Sequence, residues 1–241
     1  MRDKFMKLTQ LFAAASLFAV SISSVSAATY QYEINNGSFG GGAGGSFEQL
    51  KSTYDSSTEQ LTWSLKNGQI NGAGAVDGFW LVLNDGPNPK QSNVNELAIL
   101  YADFTNNKLL AYAYNGQNNA NSINSPGILI GDYSSSIVET ADTIGFSFDA
   151  SAINAFTHPS IVPTDWKGIQ YDEDIGVWFH VSAGTAITGD AQTGFDFNYK
   201  TQRWYDTANQ QTTVVPIPAA AFLFAPVLAG LVATRRRLAA K

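Results

Sequence analysis

Gly78-Phe79-Trp80-Leu81-Val82-Leu83-Asn84 is an apolar run closed in by Asp77-Gly78 on one side and Asp85-Gly86-Pro87 on the other. A run this short, bounded by turn-forming residues, reads as a buried strand and not as a helix. Toward the N-terminus, Phe47–Tyr54 and Gln60–Lys66 alternate apolar with polar residues. Asp55-Ser56-Ser57-Thr58 joins them, and such side chains form local turns, so the pair reads as a β-hairpin. Toward the C-terminus, Leu97–Phe104 and Leu109–Asn115 flank Thr105-Asn106-Asn107-Lys108. That is a second hairpin, with asparagines able to adopt positive φ.

The same reading predicts strands at Gly127–Tyr133, Thr143–Asp149, Gly176–Ser182, Thr193–Tyr199 and Gln202–Asp206, and one short helix at Ser151–Phe156 with Asp149 as its cap. About ten strands, with no helices to cover a parallel sheet, predict an all-β fold, an antiparallel β-sandwich of jelly-roll-like type. A single barrel is the structural alternative. No repeat of about 40 residues supports a propeller.

The two ends of the 241-residue chain have a different character. Residues 1–27 open with Arg2, Lys4 and Lys7, continue with an apolar run from Leu8 to Ile22, and end in Val25-Ser26-Ala27. This is the layout of a secretory signal peptide, cut by signal peptidase after Ala27 or Ala28. At the other end, Val214 to Ala233 is a nearly unbroken apolar stretch followed by Arg235-Arg236-Arg237. About 20 residues of helix match a bilayer core of about 30 Å, and the arginines favour the cytoplasmic side. The reading is a C-terminal transmembrane helix with the body outside, entered through Pro216 and Pro218 and kinked at Pro226.

Val215-Pro216-Ile217-Pro218-Ala219-Ala220-Ala221-Phe222-Leu223, with the arginine cluster behind it, resembles the PEP-CTERM sorting signal. Ile217 stands where the typical motif has an acid, as in the Val-Pro-hydrophobe-Pro-Ala-Ala-Ala variant of that family. The resemblance covers residues 214–241 and implies an exosortase-type membrane protease as partner. It further implies transient membrane insertion through the helix, processing near Val215, Pro216, Ile217 and Pro218, and delivery to the cell surface or the extracellular space, often in strains that make exopolysaccharide. Trp178-Phe179-His180 and Arg203-Trp204-Tyr205-Asp206-Thr207 are similar to sequences in other PEP-CTERM proteins without implying an activity.

Residues 28–213 are a comfortable size for one domain. They hold seven basic against nineteen acidic residues, a net charge of −12, which disfavours nucleic acid and anionic lipid headgroups. There is no cysteine, so thiolate catalysis, disulfides and cysteine-bound zinc are excluded. Phe39-Gly40-Gly41-Gly42-Ala43-Gly44-Gly45 lacks the Lys-Ser or Lys-Thr and the strand-to-helix context of a phosphate loop, and reads as a flexible connection.

Candidate chemistry is sparse. His158 precedes Pro159 in a loop, while His180 shares a strand face with Trp178, and neither belongs to a GxSxG, HExxH or paired-histidine pattern. Asp172-Glu173-Asp174 is the densest acidic cluster, and Asp172 and Asp174 are the candidate ligands of a calcium ion, the one cofactor the sequence suggests, although the twelve-residue calcium-loop pattern is missing. Trp166, Tyr171, Trp204 and Tyr205 are candidate carbohydrate contacts by side-chain type, since an aromatic face stacks on a sugar ring. Trp63, Trp80 and Trp178 sit inside apolar runs and read as core. Two functions follow as expectations. One is a non-catalytic surface or extracellular-matrix protein associated with exopolysaccharide. The other is a secreted glycoside hydrolase or carbohydrate-modifying enzyme, which needs two carboxylates about 5–10 Å apart across a cleft.

Overall fold

The computed structural model describes residues 28–117 and 126–215. The predicted signal peptide and most of the predicted sorting signal, Pro216 to Lys241 with Arg235, Arg236 and Arg237, lie outside them. Among the described residues no helix is long and apolar enough to cross a membrane.

Two antiparallel sheets pack face to face, as an all-β sandwich requires. The first has the order β10-β11-β3-β2-β1-β14, with the short strands β4 (Gln69–Ile70) and β5 (Gly74–Ala75) attached beside β2. Its members are β1 (Thr29–Phe39), β2 (Gly45–Asp55), β3 (Gln60–Lys66), β10 (Ile137–Glu139), β11 (Thr143–Asp149) and β14 (Thr213–Val215). The second sheet has the order β13-β12-β6-β7-β8-β9. It comprises β6 (Gly78–Asn84), β7 (Ala98–Asp103), β8 (Lys108–Ala113), β9 (Leu129–Asp132), β12 (Asp174–Asp190) and β13 (Gly194–Gln211). Among the described residues the one α-helix, α1, is the single turn Ser151–Asn154, and Asp149 accepts the Ser151 N–H at 2.8 Å.

Alternation builds the first sheet. Leu61, Trp63 and Leu65 of β3 point inward with Leu50 and Tyr54 of β2 and Phe146 and Phe148 of β11. The intervening residues form outward polar rungs, such as Ser147–Thr62–Thr53–Gln31–Thr213. Facing that inner layer are Phe79, Leu81 and Leu83 of β6 and Val177, Phe179 and Val181 of β12, which complete the inter-sheet core. Phe179 sits at its centre, its ring 5.1 Å from both Trp63 and Phe79.

The other side of β6 is buried as well, which is why its sequence does not alternate. Trp80 and Val82 belong to a second core with Ile99, Tyr101, Leu110, Tyr112, Tyr114 and Trp178. The tip of the β12–β13 hairpin supplies part of the cover, placing Ile187, Tyr199 and Phe197 on Trp80, Tyr101 and Tyr112. The bend occurs at Gly184, φ 77°, where the Asp77 carboxylate accepts the Gly184 and Thr185 N–H groups at 2.8 and 2.9 Å. Buried Asp103 accepts the Ile187 N–H at 2.7 Å and holds the tip down. Gly78 must be glycine because a Cβ there would lie 2.4 Å from Thr185.

Several predicted boundaries shift. Thr193–Tyr199 and Gln202–Asp206 are parts of one strand, β13, and the strand predicted at Gly176–Ser182 runs from Asp174 to Asp190 as β12. Polar residues along both strands obscured their length, because β13 is a sheet edge for much of its course. β10 and β14, three residues each at sheet edges, escape the sequence reading because they are too short to show a pattern, and β1 is missed although Tyr30, Tyr32 and Ile34 alternate with polar residues and face the core. Val214 and Val215 belong to β14, paired with Tyr30 and Thr29, and so do not begin a helix.

Candidate functional site

Two places on the sandwich gather the residue types that chemistry would use. The first is a cleft of about 260 Å³ at one end, between the turn after β2 and the loops after β6 and before β12. Its wall includes Tyr30, Tyr54, Glu59, Asp85, Gln170 and Asp172. Glu59 has φ 52°, a conformation that costs a residue with a Cβ about 1 kcal/mol or more, and Asn154 Nδ2 donates to its carboxylate at 2.8 Å. Asn154 also accepts the Ile169 N–H at 2.9 Å, so one amide ties the hairpin turn to the loop leading into β12. Burial, together with the nearby Glu59 charge, pushes the Tyr54 hydroxyl up to about 12. Asp85 stands in the sequence as a turn residue after the strand Gly78–Asn84 and Glu59 is not singled out there, since nothing in their local sequence places them on one cleft.

Asp172 and Asp174 are engaged within their own loop. Asp172 accepts the Asp174 N–H at 3.2 Å, Asp174 accepts from the Gln211 amide, and the Thr212 hydroxyl donates to the Asp172 carbonyl at 2.7 Å. Among the described residues no group of three or more His, Asp or Glu side chains is placed to hold a metal ion.

The four aromatic candidates do not converge. Tyr171 borders the end cleft but is buried, tilted against Tyr54 at 5.6 Å and donating to the Ser52 hydroxyl at 2.8 Å, so its face is closed to a sugar. Tyr205 turns into the inter-sheet space, where its hydroxyl is 2.6 Å from that of Tyr32. Trp166 is half-buried in the loop after α1, donating its indole N–H to the Ile153 carbonyl at 2.9 Å. Trp204 alone of the four is exposed, at 44%.

Trp204 marks the second place. It lies on the outward side of β13 opposite His180 of β12, which is opposite Trp80 of β6. His180 stacks on Trp80 at 4.5 Å, meets Trp178 edge-on at 5.1 Å and lies 6.3 Å from Trp204. Burial among these rings lowers the imidazole pKa to about 4, with Asp206 opposing that shift and Lys90 adding to it. Lys90 and Asp206 form an ion pair beside the cluster. The Nδ1 atom of His180 is buried without a hydrogen-bond partner.

The glycine-rich segment is the seat of Trp204. Gly40 exchanges backbone hydrogen bonds with Trp204, which closes the gap between the two sheets at that edge. A Cβ at Gly41 would lie 1.9 Å from the indole, and one at Gly40 would lie 2.9 Å from its nitrogen. The flexible connection of the sequence reading is thus a surface shaped to one ring.

No protein family, curated protein or solved structure matches this chain in comparison.

Proposed function

We propose that the chain is an exported, non-catalytic protein of the cell surface or extracellular matrix, sorted by an exosortase-type membrane protease and associated with exopolysaccharide. The observation that carries this reading is the pairing of β14 with β1, which sets Val215 opposite Thr29. The first strand thereby begins where the last one ends, at one end of the sandwich. A signal peptide and a membrane-inserted sorting helix attached there would both act at one pole, leaving the remainder of a jelly-roll-like body free to face outward. Signal peptidase would act just before β1, and the protease just after β14, around Val215-Pro216-Ile217-Pro218.

The test follows the full chain in an exporting host by pulse-labelling and mass spectrometry of its C-terminus. The expected result is loss of the tail from the surface form, and retention in the membrane when Pro216 and Pro218 are both changed to alanine. Unchanged processing and surface delivery after deletion of Val214–Lys241 would refute the sorting part.

A second reading, a secreted glycoside hydrolase or carbohydrate-modifying enzyme, draws on the end cleft, where Glu59, Asp85 and Asp172 line one wall together. Its test is sugar release from a polysaccharide panel, abolished by Glu59→Gln or Asp85→Asn.

A further inference from the structure

We propose that the outward face of β13 around Trp204 is a binding subsite for a neutral pyranose polymer, an inference that rests on the exopolysaccharide-associated reading and names its contact point. Three observations carry it. The indole is held in advance, its ring lying on Gly40 and Gly41 with 44% of the residue left to solvent. A ring fixed in this way loses little freedom on stacking against a sugar, so more of the contact appears as affinity.

Gln202 and Asp206 stand two residues to either side of Trp204 on the same strand face, each about 7 Å away along β13. The Gln202 amide donates to the Tyr199 carbonyl at 2.8 Å, which leaves its oxygen, like the ion-paired Asp206 carboxylate on the other side, to accept from a hydroxyl of one stacked ring.

Charge selects among polymers. The body carries seven basic against nineteen acidic residues, and Lys90 is already neutralised by Asp206. The net charge of the whole body opposes approach of a uronate-rich chain, with the Arg203 guanidinium beside Gly42 acting locally against that, whereas a neutral glucan or an N-acetylated glycan meets no such opposition.

The experiment titrates the full chain with cellohexaose, chitohexaose and laminarihexaose in turn, followed by tryptophan fluorescence and calorimetry, with polygalacturonate as the charged comparison. At least one neutral hexaose should bind, with Trp204→Ala weakening it about tenfold or more and Gln202→Ala about threefold. Trp204→Phe, which keeps a ring on the glycines and guards against a folding defect in the alanine variant, should retain most of the binding. Trp166→Phe should bind as wild type. No binding to any neutral hexaose, Trp204→Ala within about twofold of wild type, or a preference for polygalacturonate would overturn the proposal. The two readings fail separately. Trp204→Ala should still reach the cell surface, whereas a sorting failure would appear in delivery and leave hexaose binding intact.

Discussion

The outward face of the first sheet is a lattice of Thr, Ser, Gln, Asn and a few charges, whereas the outward face of the second carries Trp80, Tyr101, Tyr112, Tyr114 and Trp178, all buried. Both sheets are antiparallel and share one inter-sheet core. What separates them is the cover, because β12 and β13 continue past the sheet, bend at Gly184 and lay their tip on the second sheet's back. Burial on both sides removes the pressure to alternate, a pattern more usual for parallel strands under helices. GFWLVLN therefore reports a three-layer neighbourhood, and QLTWSLK in β3 a two-layer one.

The sharpest way to break this comparison is to truncate a residue under the cover. Trp80→Ala should cost about 3–5 kcal/mol in urea unfolding, as other large core truncations do, and a value near zero would mean that the hairpin tip is not packed there. Next in size is the latch. Asp103→Ala leaves the Ile187 N–H and the Asn106 groups without their acceptor, for a loss of about 2–3 kcal/mol. Amide exchange should then accelerate in residues 185–197 before it does in β2 and β3.

Acid should distinguish the two faces through His180. Its imidazole titrates near 4 in the folded chain against an ordinary value of 6.5, so between those values the unfolded chain binds more protons. The stability this group contributes is complete above 6.5 and falls as pH drops toward 4, by on the order of 1–3 kcal/mol. His180→Phe should flatten that part of the pH profile, and an unchanged profile would contradict the buried, neutral imidazole. The smallest effect belongs to the open face. Thr53→Ala or Thr62→Ala, in the middle of a solvated polar rung, should shift stability by less than about 0.5 kcal/mol. A larger loss there would show that this face too is covered.

Much of the candidate site was legible by residue type and little of it by position. Trp204 is a reasonable sugar contact from its neighbours alone, yet Tyr171 and Tyr205 looked equally suitable and are closed off by Ser52, Tyr54 and Tyr32. Exposure depends on which strand or loop packs over a ring, and a two-residue period cannot report that. Glu59 and Asp85 share a cleft because two turns from different sheets end at the same pole. The Gly40–Gly41 backbone meets Trp204 only because β1 reaches across to β13.

The sequence by itself determined the strand character of most of the body, the hairpin turns, the acidic surface, the absence of thiol chemistry and the contrasting apolar segments at the two ends. These are properties of neighbouring residues, set by side-chain period, turn chemistry and charge. Only the tertiary structure decided that β14 returns to β1, that one sheet is roofed and the other bare, and that a single indole stays open beside a buried histidine. Those outcomes depend on pairing between segments far apart in the chain, where packing and hydrogen-bond satisfaction across the whole sandwich select one arrangement among many that share the same local pattern.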